Sequence, residues 1–275
     1  MKLTIICRGM LLLVFLTACS GLFPAPTLTA TPVSATETPT PTILWFPPTY
    51  TPTIFPTETI LSTPEQRPGL GELLFTDSFD NPDLWSTSVA SWASATVIRN
   101  LLILSISGPG PISIASLRSQ PTLGDFYFDA TVKLSLCGPT DQFGMIFRAA
   151  PGDNNHYRFV VRCDGQARFE RVLSGSPSPL LDWQPSGDAP SAVPAEVKLG
   201  VWADGSEMRF FLNDNYQFTA HDPLLPTGTL GFFAYASGAT PITASFSDLS
   251  VYSVSYVSPT PSLTPSMTPI PMRMP

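Results

Sequence analysis

The sequence predicts an all-β protein, with one antiparallel β-sandwich over residues 70–256 flanked by Thr/Pro-rich segments that hold too little apolar material to pack. Three observations carry this prediction. Apolar and polar residues alternate strictly in several stretches, apolar residues nowhere recur at helical spacing over three turns, and Gly, Asn and Asp separate the alternating stretches. In Asp125-Phe126-Tyr127-Phe128-Asp129-Ala130-Thr131-Val132-Lys133-Leu134-Ser135-Leu136 every even position is apolar, so one strand face is buried and the other is wet.

Residues 1–18 read as a secretory signal, in which Lys2 and Arg8 precede an uncharged run over 10–18. That run is well short of the ~20 apolar residues a membrane-spanning helix needs. Leu16-Thr17-Ala18-Cys19 resembles the bacterial lipobox, where small residues let a peptidase cut before an acylated cysteine. The resemblance implies a lipoprotein held at the cell membrane, outside the cytoplasm, by a lipid on Cys19. Several acyl chains anchor firmly because each buried methylene contributes ~0.8 kcal/mol. An ordinary signal peptide with a chance cysteine is the alternative, and Cys7 falls in the removed segment.

Residues 19–69 are the lipidated N-terminus and a stalk. Eleven prolines and thirteen threonines fill positions 24–69. Proline removes amide donors and fixes φ, so a semi-rigid, polyproline-II-like segment is expected. A second Thr/Pro tract, 257–275, is expected to be a disordered tail.

Within 70–256, residues 196–203 alternate with Val197, Leu199 and Val201 inward, and 208–212 with Met208, Phe210 and Leu212 inward. Asp164-Gly165 joins strands 156–163 and 166–172, Asp204-Gly205 follows Ala203, and Asn213-Asp214-Asn215 leads into 216–220. A proline cluster interrupts the pattern at 177–194. The sum is a sandwich of about a dozen strands.

Phe75-Thr76-Asp77-Ser78-Phe79-Asp80-Asn81-Pro82, with Leu84-Trp85, resembles the opening strand of concanavalin A-like (LamG-like) jelly rolls. Arg209-Phe210-Phe211-Leu212-Asn213-Asp214-Asn215 is similar to their strand-turn-strand hairpin, Gly228-Thr229-Leu230-Gly231-Phe232-Phe233-Ala234 to the next strand, and Ala244-Ser245-Phe246-Ser247-Asp248-Leu249-Ser250-Val251 to the closing one. The resemblance covers nearly the whole domain and implies a fold shared by lectins, carbohydrate-binding modules, glycosidases and adhesion domains. Asp141-Gln142-Phe143-Gly144-Met145-Ile146-Phe147-Arg148 with Asn155-His156-Tyr157-Arg158-Phe159 also resembles the 3-keto-disaccharide hydrolase-like branch.

The domain carries 10 Lys and Arg against 18 Asp and Glu, which disfavours nucleic acid as a partner. Cys137 and Cys163, an even pair in an oxidising compartment, are expected to form a disulfide; a metal site shared with His156 and His221 is the alternative. Four glutamates (Glu72, Glu170, Glu196, Glu207) and no Glu-x-Asp-x-x-Glu strand offer little to glycoside hydrolysis, and no Gly-x-Ser-x-Gly supports a serine hydrolase. These residues favour binding over catalysis without closing the question. Sugar recognition uses aromatic rings and polar forks, and the concave sheet of similar folds often holds sugars. The candidates opposite in parity to the core are Tyr127, Trp202, Phe211 and Tyr235, joined by Arg148, His156 and Arg158. No motif requires a cofactor. A structural calcium at Asp77, Asp80 and Asp248 is implied by similar jelly rolls, with the two earlier aspartates as turn formers the alternative. The functional expectation is a membrane-tethered, extracytoplasmic lipoprotein whose domain binds carbohydrate; the alternatives are a glycoside or 3-keto-disaccharide hydrolase-type enzyme and a structural or protein-interaction module.

Overall fold

A computed structural model describes residues 65–150 and 154–257. The signal sequence, the lipid site at Cys19, the stalk as far as residue 64 and the tail from residue 258 lie outside the described residues. In chain order the strands are β1 (Leu70–Asp77), β2 (Ser88–Val89), β3 (Ala93–Ile98), β4 (Leu101–Ile106), β5 (Ile112–Leu117), β6 (Phe126–Leu136), β7 (Gln142–Ala149), β8 (His156–Arg162), β9 (Gln166–Leu173), β10 (Ser176–Pro185), β11 (Ala195–Asp204), β12 (Glu207–Leu212), β13 (Asn215–His221), β14 (Thr229–Ala236) and β15 (Ile242–Val254). The all-β sandwich expected from the sequence is the fold observed.

Two sheets face each other. One has nine strands in the order β13-β12-β11-β6-β15-β4-β3-β2, with β1 also paired to β15; the other has six, β10-β9-β8-β7-β14-β5. The pairings are antiparallel, and β15 lies beside β6 along its length while β4 and β1 share its other edge. The hairpins turn where the sequence placed them, with positive φ at Gly165, Gly205, Asn213 and Asp214.

Strand parity sets what each face holds. Phe126, Phe128, Ala130, Val132 and Leu134 of β6 all enter the core, and the alternation stops there, because Leu136 at the strand end is 48% exposed. Between the sheets Phe210 of β12 meets Phe159 and Phe169 of the six-stranded sheet, ring centroids 5.0 and 5.1 Å apart, and Phe232 of β14 stacks on Phe246 of β15 at 4.3 Å. Fully burying one such side chain contributes roughly 1.5–3 kcal/mol, so rings that bridge the two layers supply much of what holds them face to face.

The proline cluster hid one strand. β10 contains Pro177, Pro179 and Pro185 and pairs with β9 alone, with register shifts after Pro179 and Leu181. A strand at a sheet edge needs hydrogen bonds on one side, so prolines that would break a central strand are tolerated there.

Cys137, just past β6, is bonded to Cys163 in the turn between β8 and β9, with Cα atoms 6.2 Å apart. The bridge ties the end of one sheet to the other. Replacing both residues, Cys137→Ser with Cys163→Ser, is expected to lower the unfolding free energy by roughly 3 kcal/mol on the loop-closure account. Denaturant titration of the unreduced protein measures it, and an unchanged midpoint would show that the closed loop contributes nothing.

Candidate functional site

Because Tyr157, Phe159 and Val161 of β8 and Ala167 and Phe169 of β9 point into the core, His156, Arg158, Arg162, Arg168 and Glu170 stand on the outer face of the six-stranded sheet. Phe233 and Tyr235 of β14 and Gln142 of β7 join them by the same parity. Gly144 lies in register with both Val160 and Phe233. A Cβ there would sit 1.9 Å from the carbonyl oxygen of Phe159 and 3.0 Å from the Phe233 ring, so the glycine is what lets that ring lie down on the sheet.

The Arg158 guanidinium stacks over Phe233, its central carbon 4.7 Å from the ring centroid, and its Nε donates to His156 Nε2 at 2.9 Å. Beside it Arg168 pairs with Glu170, whose residue is 2% exposed. Ser113, Gln142, Arg158, Arg168, Glu170 and Tyr235 line a cleft of about 320 Å³. At its β10 side the half-buried Trp183 covers the guanidinium groups of Arg168 and Arg162 at 4.1 and 4.6 Å. Arg162 in turn pairs with Asp164.

Burial first, and then the Arg158 charge, push the His156 pKa down from 6.5 to about 3. The ring is therefore neutral at neutral pH, with Nε2 free to accept from Arg158. Burial also lowers the Arg158 pKa from its ordinary value, opposed by the negative charge of Glu170. Nothing in these shifts takes the charge from the guanidinium.

The structure divides the candidate residues instead of assembling them. Arg158 and Tyr235 line the cleft, with His156 behind Arg158. Tyr127, Trp202 and Phe211 form a separate cluster on the outer face of the nine-stranded sheet. They share the outward parity expected of them, but chain segments cover them. Trp202 is 0% exposed, its indole donating to the Pro68 carbonyl at 3.0 Å and its ring meeting Tyr256 at 5.9 Å. Arg67 lies over Tyr127 and Phe211 and donates to the Tyr127 hydroxyl and to Asp214, each at 3.2 Å. Residues read as the end of the stalk thus lie on the sheet. Arg148 leaves both surfaces, since its side chain is buried and donates to the carbonyls of Gly124 at 2.9 Å, Gly205 at 2.7 Å and Leu225 at 3.3 Å. It clamps three loops at one end of the sandwich.

Among the described residues no three His, Cys, Asp or Glu side chains are grouped to hold a metal ion. Asp77 Oδ1 accepts from the Phe79 amide at 2.8 Å, and Oδ2 from Trp85 Nε1 at 3.1 Å and Arg118 Nε at 2.9 Å. Asp80 is exposed, and Asp248, also exposed, accepts from the Ser247 hydroxyl at 2.6 Å. The oxygens of Asp77 are committed to holding the end of β1 to Phe79, to Trp85 and to Arg118, just past β5.

No family model matches the chain, and no curated protein matches it. Solved structures do. A carbohydrate binding module from Bacillus subtilis aligns at 20% identity over 63% of this chain and 98% of its own, TM-score 0.49. The Bacillus licheniformis beta-glucanase aligns at 12% identity over 66% of this chain and 98% of its own, TM-score 0.50. A Bacillus subtilis protein of unknown function with a galectin-like fold aligns at 15% identity, over 67% and 97%, TM-score 0.50. The fold is a jelly roll. At these identities the fold is what is shared.

Several residues of this face were not singled out as binding candidates from the sequence: Gln142, Arg168, Glu170 and Phe233, which line the cleft, and Trp183, which stacks on Arg168 beside it. Arg168-Phe169-Glu170 carried a readable signal, two charges flanking an inward Phe in a strand bounded by Asp164-Gly165. Trp183 carried none, because its strand is masked by prolines.

The depressed His156 pKa has a testable consequence. The folded-state value lies below the unfolded one, so the unfolded chain takes up the proton first as pH falls. The stability contributed by neutral His156 is complete above about pH 6.5 and is lost progressively toward about pH 3. Unfolding free energy should fall between about pH 6.5 and 5, where carboxylates are still ionised. His156→Gln keeps an acceptor for Arg158 and should flatten that slope; an unaltered slope would place the titration elsewhere.

Proposed function

We propose that the domain binds carbohydrate on the outer face of the six-stranded sheet and is held outside the cell by a lipid on Cys19. One observation carries the site: in this cleft guanidinium, carboxylate, amide and hydroxyl groups converge beside aromatic rings, whereas the larger hollow of about 400 Å³ on the nine-stranded face, lined by Lys133, Ser135, Glu196 and Ser245, has no aromatic ring. Sugars offer hydroxyl groups to such forks and C–H faces to such rings. The opposite face presents its aromatics to Arg67, Pro68 and Tyr256 instead. One structure of the same fold is a β-glucanase, so the architecture is compatible with a glucan ligand as well as with hydrolysis.

Binding is favoured over hydrolysis by the carboxyl count. Glycoside hydrolysis ordinarily uses two carboxyl groups, roughly 5–9.5 Å apart. Glu170 is the one carboxyl group lining the cleft among the described residues, and Arg168 engages it. A lone carboxylate held by arginine can orient hydroxyl groups, and the second carboxyl group that hydrolysis ordinarily uses is absent from the cleft lining among the described residues. The tether follows from the lipobox resemblance at residues 16–19 and from the Thr/Pro spacer that would hold the domain off the surface.

A glycan array with the purified chain is expected to return a ligand, with Trp183→Ala and Arg168→Ala each weakening binding about tenfold or more. Trp202→Ala should instead lower stability by about 3–5 kcal/mol and leave affinity near wild type in the folded fraction. Silence across plant, microbial and host glycans would overturn the binding assignment. In a bacterial host the chain is expected to incorporate labelled palmitate and to lose the label in Cys19→Ser; label retained by that variant removes the proposed anchor.

A further inference from the structure

Resting on the carbohydrate-binding assignment, we infer that the ligand is acidic, with the carboxylate of a uronic acid residue seated in the fork of Arg158. The argument begins with a contrast in charge. The domain is acidic, with 18 carboxylate residues against 10 basic ones over 70–256, yet Arg158, Arg162 and Arg168 stand together on the outer face of β8 and β9. Their partners then separate them. Arg162 is paired with Asp164 and Arg168 with Glu170, which leaves Arg158 hydrogen-bonded to a neutral histidine, with Glu170 across the strands from it already ion-paired. Arg158 Nε is committed to His156, and among the described residues its two terminal nitrogens have no hydrogen-bond or ion-pair partner while the residue lines the cleft. The cleft therefore carries one surplus positive charge, on a group whose free edge presents two parallel N–H donors.

That edge is also held still. Phe233 supports the flat of the guanidinium at 4.7 Å, Gly144 gives Phe233 its place, and the Nε bond to His156 sets the rotation in plane. A preorganised, planar fork suits a planar anion that accepts two parallel hydrogen bonds, which is the geometry of a carboxylate. A single negative charge matches the single surplus charge. Trp183, braced on Arg168 and Arg162, offers a ring for the face of a neighbouring sugar. A polymer bearing carboxylates along a sugar backbone presents both groups, whereas a neutral glycan would leave the Arg158 fork to water.

The test is calorimetric titration of the full chain in a non-ionic detergent with oligogalacturonate, alginate and hyaluronan oligomers. Each is compared with its carboxyl-reduced, neutral counterpart, and dextran sulfate is run beside them. At least one acidic oligomer is expected to bind about tenfold or more tighter than its reduced form. Arg158→Gln and Arg158→Lys should bring that ratio to within about twofold, the lysine variant because it keeps the charge and loses the fork. Equal affinity for acidic and reduced oligomers overturns the inference and leaves carbohydrate binding intact. Dextran sulfate binding as tightly as any uronate, or Arg158→Lys retaining the full preference, overturns the carboxylate fork. Silence toward acidic and reduced oligomers alike overturns the uronate inference, and the glycan array then decides separately whether carbohydrate binding stands. Should Arg158→Gln fail to fold, the wild-type ratio and the lysine variant decide.

Discussion

The ring of Phe210, set against Phe159 and Phe169 of the facing sheet, is the contact on which the rest of the molecule depends. It belongs to an aromatic layer that also includes Phe126, Phe128, Phe147 and Phe232, all of them buried between the two sheets. Its consequence is a constraint on every strand. Once one parity is committed to that layer, the alternate residues have nowhere to go but outward, so the composition of each outer face is decided by the core.

The two outer faces then meet different fates. On the nine-stranded sheet, Tyr127, Trp202 and Phe211 create an apolar surface, and the chain covers it with its own residues: Arg67 and Pro68 before β1, and Tyr256 after β15. Gly69 packs where a Cβ would collide with the Ser255 carbonyl, which keeps the entering and leaving segments together. On the six-stranded sheet Ile146, Val160 and Phe233 are likewise buried on the outer face, with Trp183 of β10 packed against them, while Arg158, Arg168 and Glu170 line the cleft beside them. What separates the two faces is which side chains the same parity rule brings to the open hollow: Arg158, Arg168 and Glu170 beside rings on one sheet, Lys133 and Glu196 without an aromatic ring on the other.

Charge is organised with similar economy. Several buried ionic groups are satisfied locally: Asp77 by Arg118 and the Trp85 indole, Asp222 by Arg171 and the Tyr157 hydroxyl, Arg148 by three backbone carbonyls. Among the described residues the Nε atoms of Arg162, Arg168 and Arg171 have no hydrogen-bond partner, although each of these guanidinium groups is ion-paired. A buried charge without such partners would cost several kcal/mol. Against that background Arg158 stands out, since its terminal nitrogens are left to the cleft among the described residues while its Nε and its flat face are fully engaged. Positioning and availability coincide on one side chain.

The sequence by itself determined the all-β class, the inward parity of Phe126, Phe128, Val197, Leu199, Met208 and Phe210, the hairpins at Asp164-Gly165 and Asp204-Gly205, and the Cys137–Cys163 pairing. Each of these is local, a matter of period-two alternation, turn chemistry or an even cysteine count, and local physics is written along the chain. It also named Arg158, His156 and Tyr235, because parity marks which residues face outward. Tertiary structure alone decided which outward residues share a face: Trp202 and Arg158 both point away from the core, but on sheets that face opposite ways. It alone supplied Trp183, since prolines erase the strand signal wherever an edge position forgives them, and it alone closed one aromatic face with residues 65–69. Those outcomes depend on how fifteen strands are ordered into two layers, and strand order is set by contacts between residues far apart in sequence.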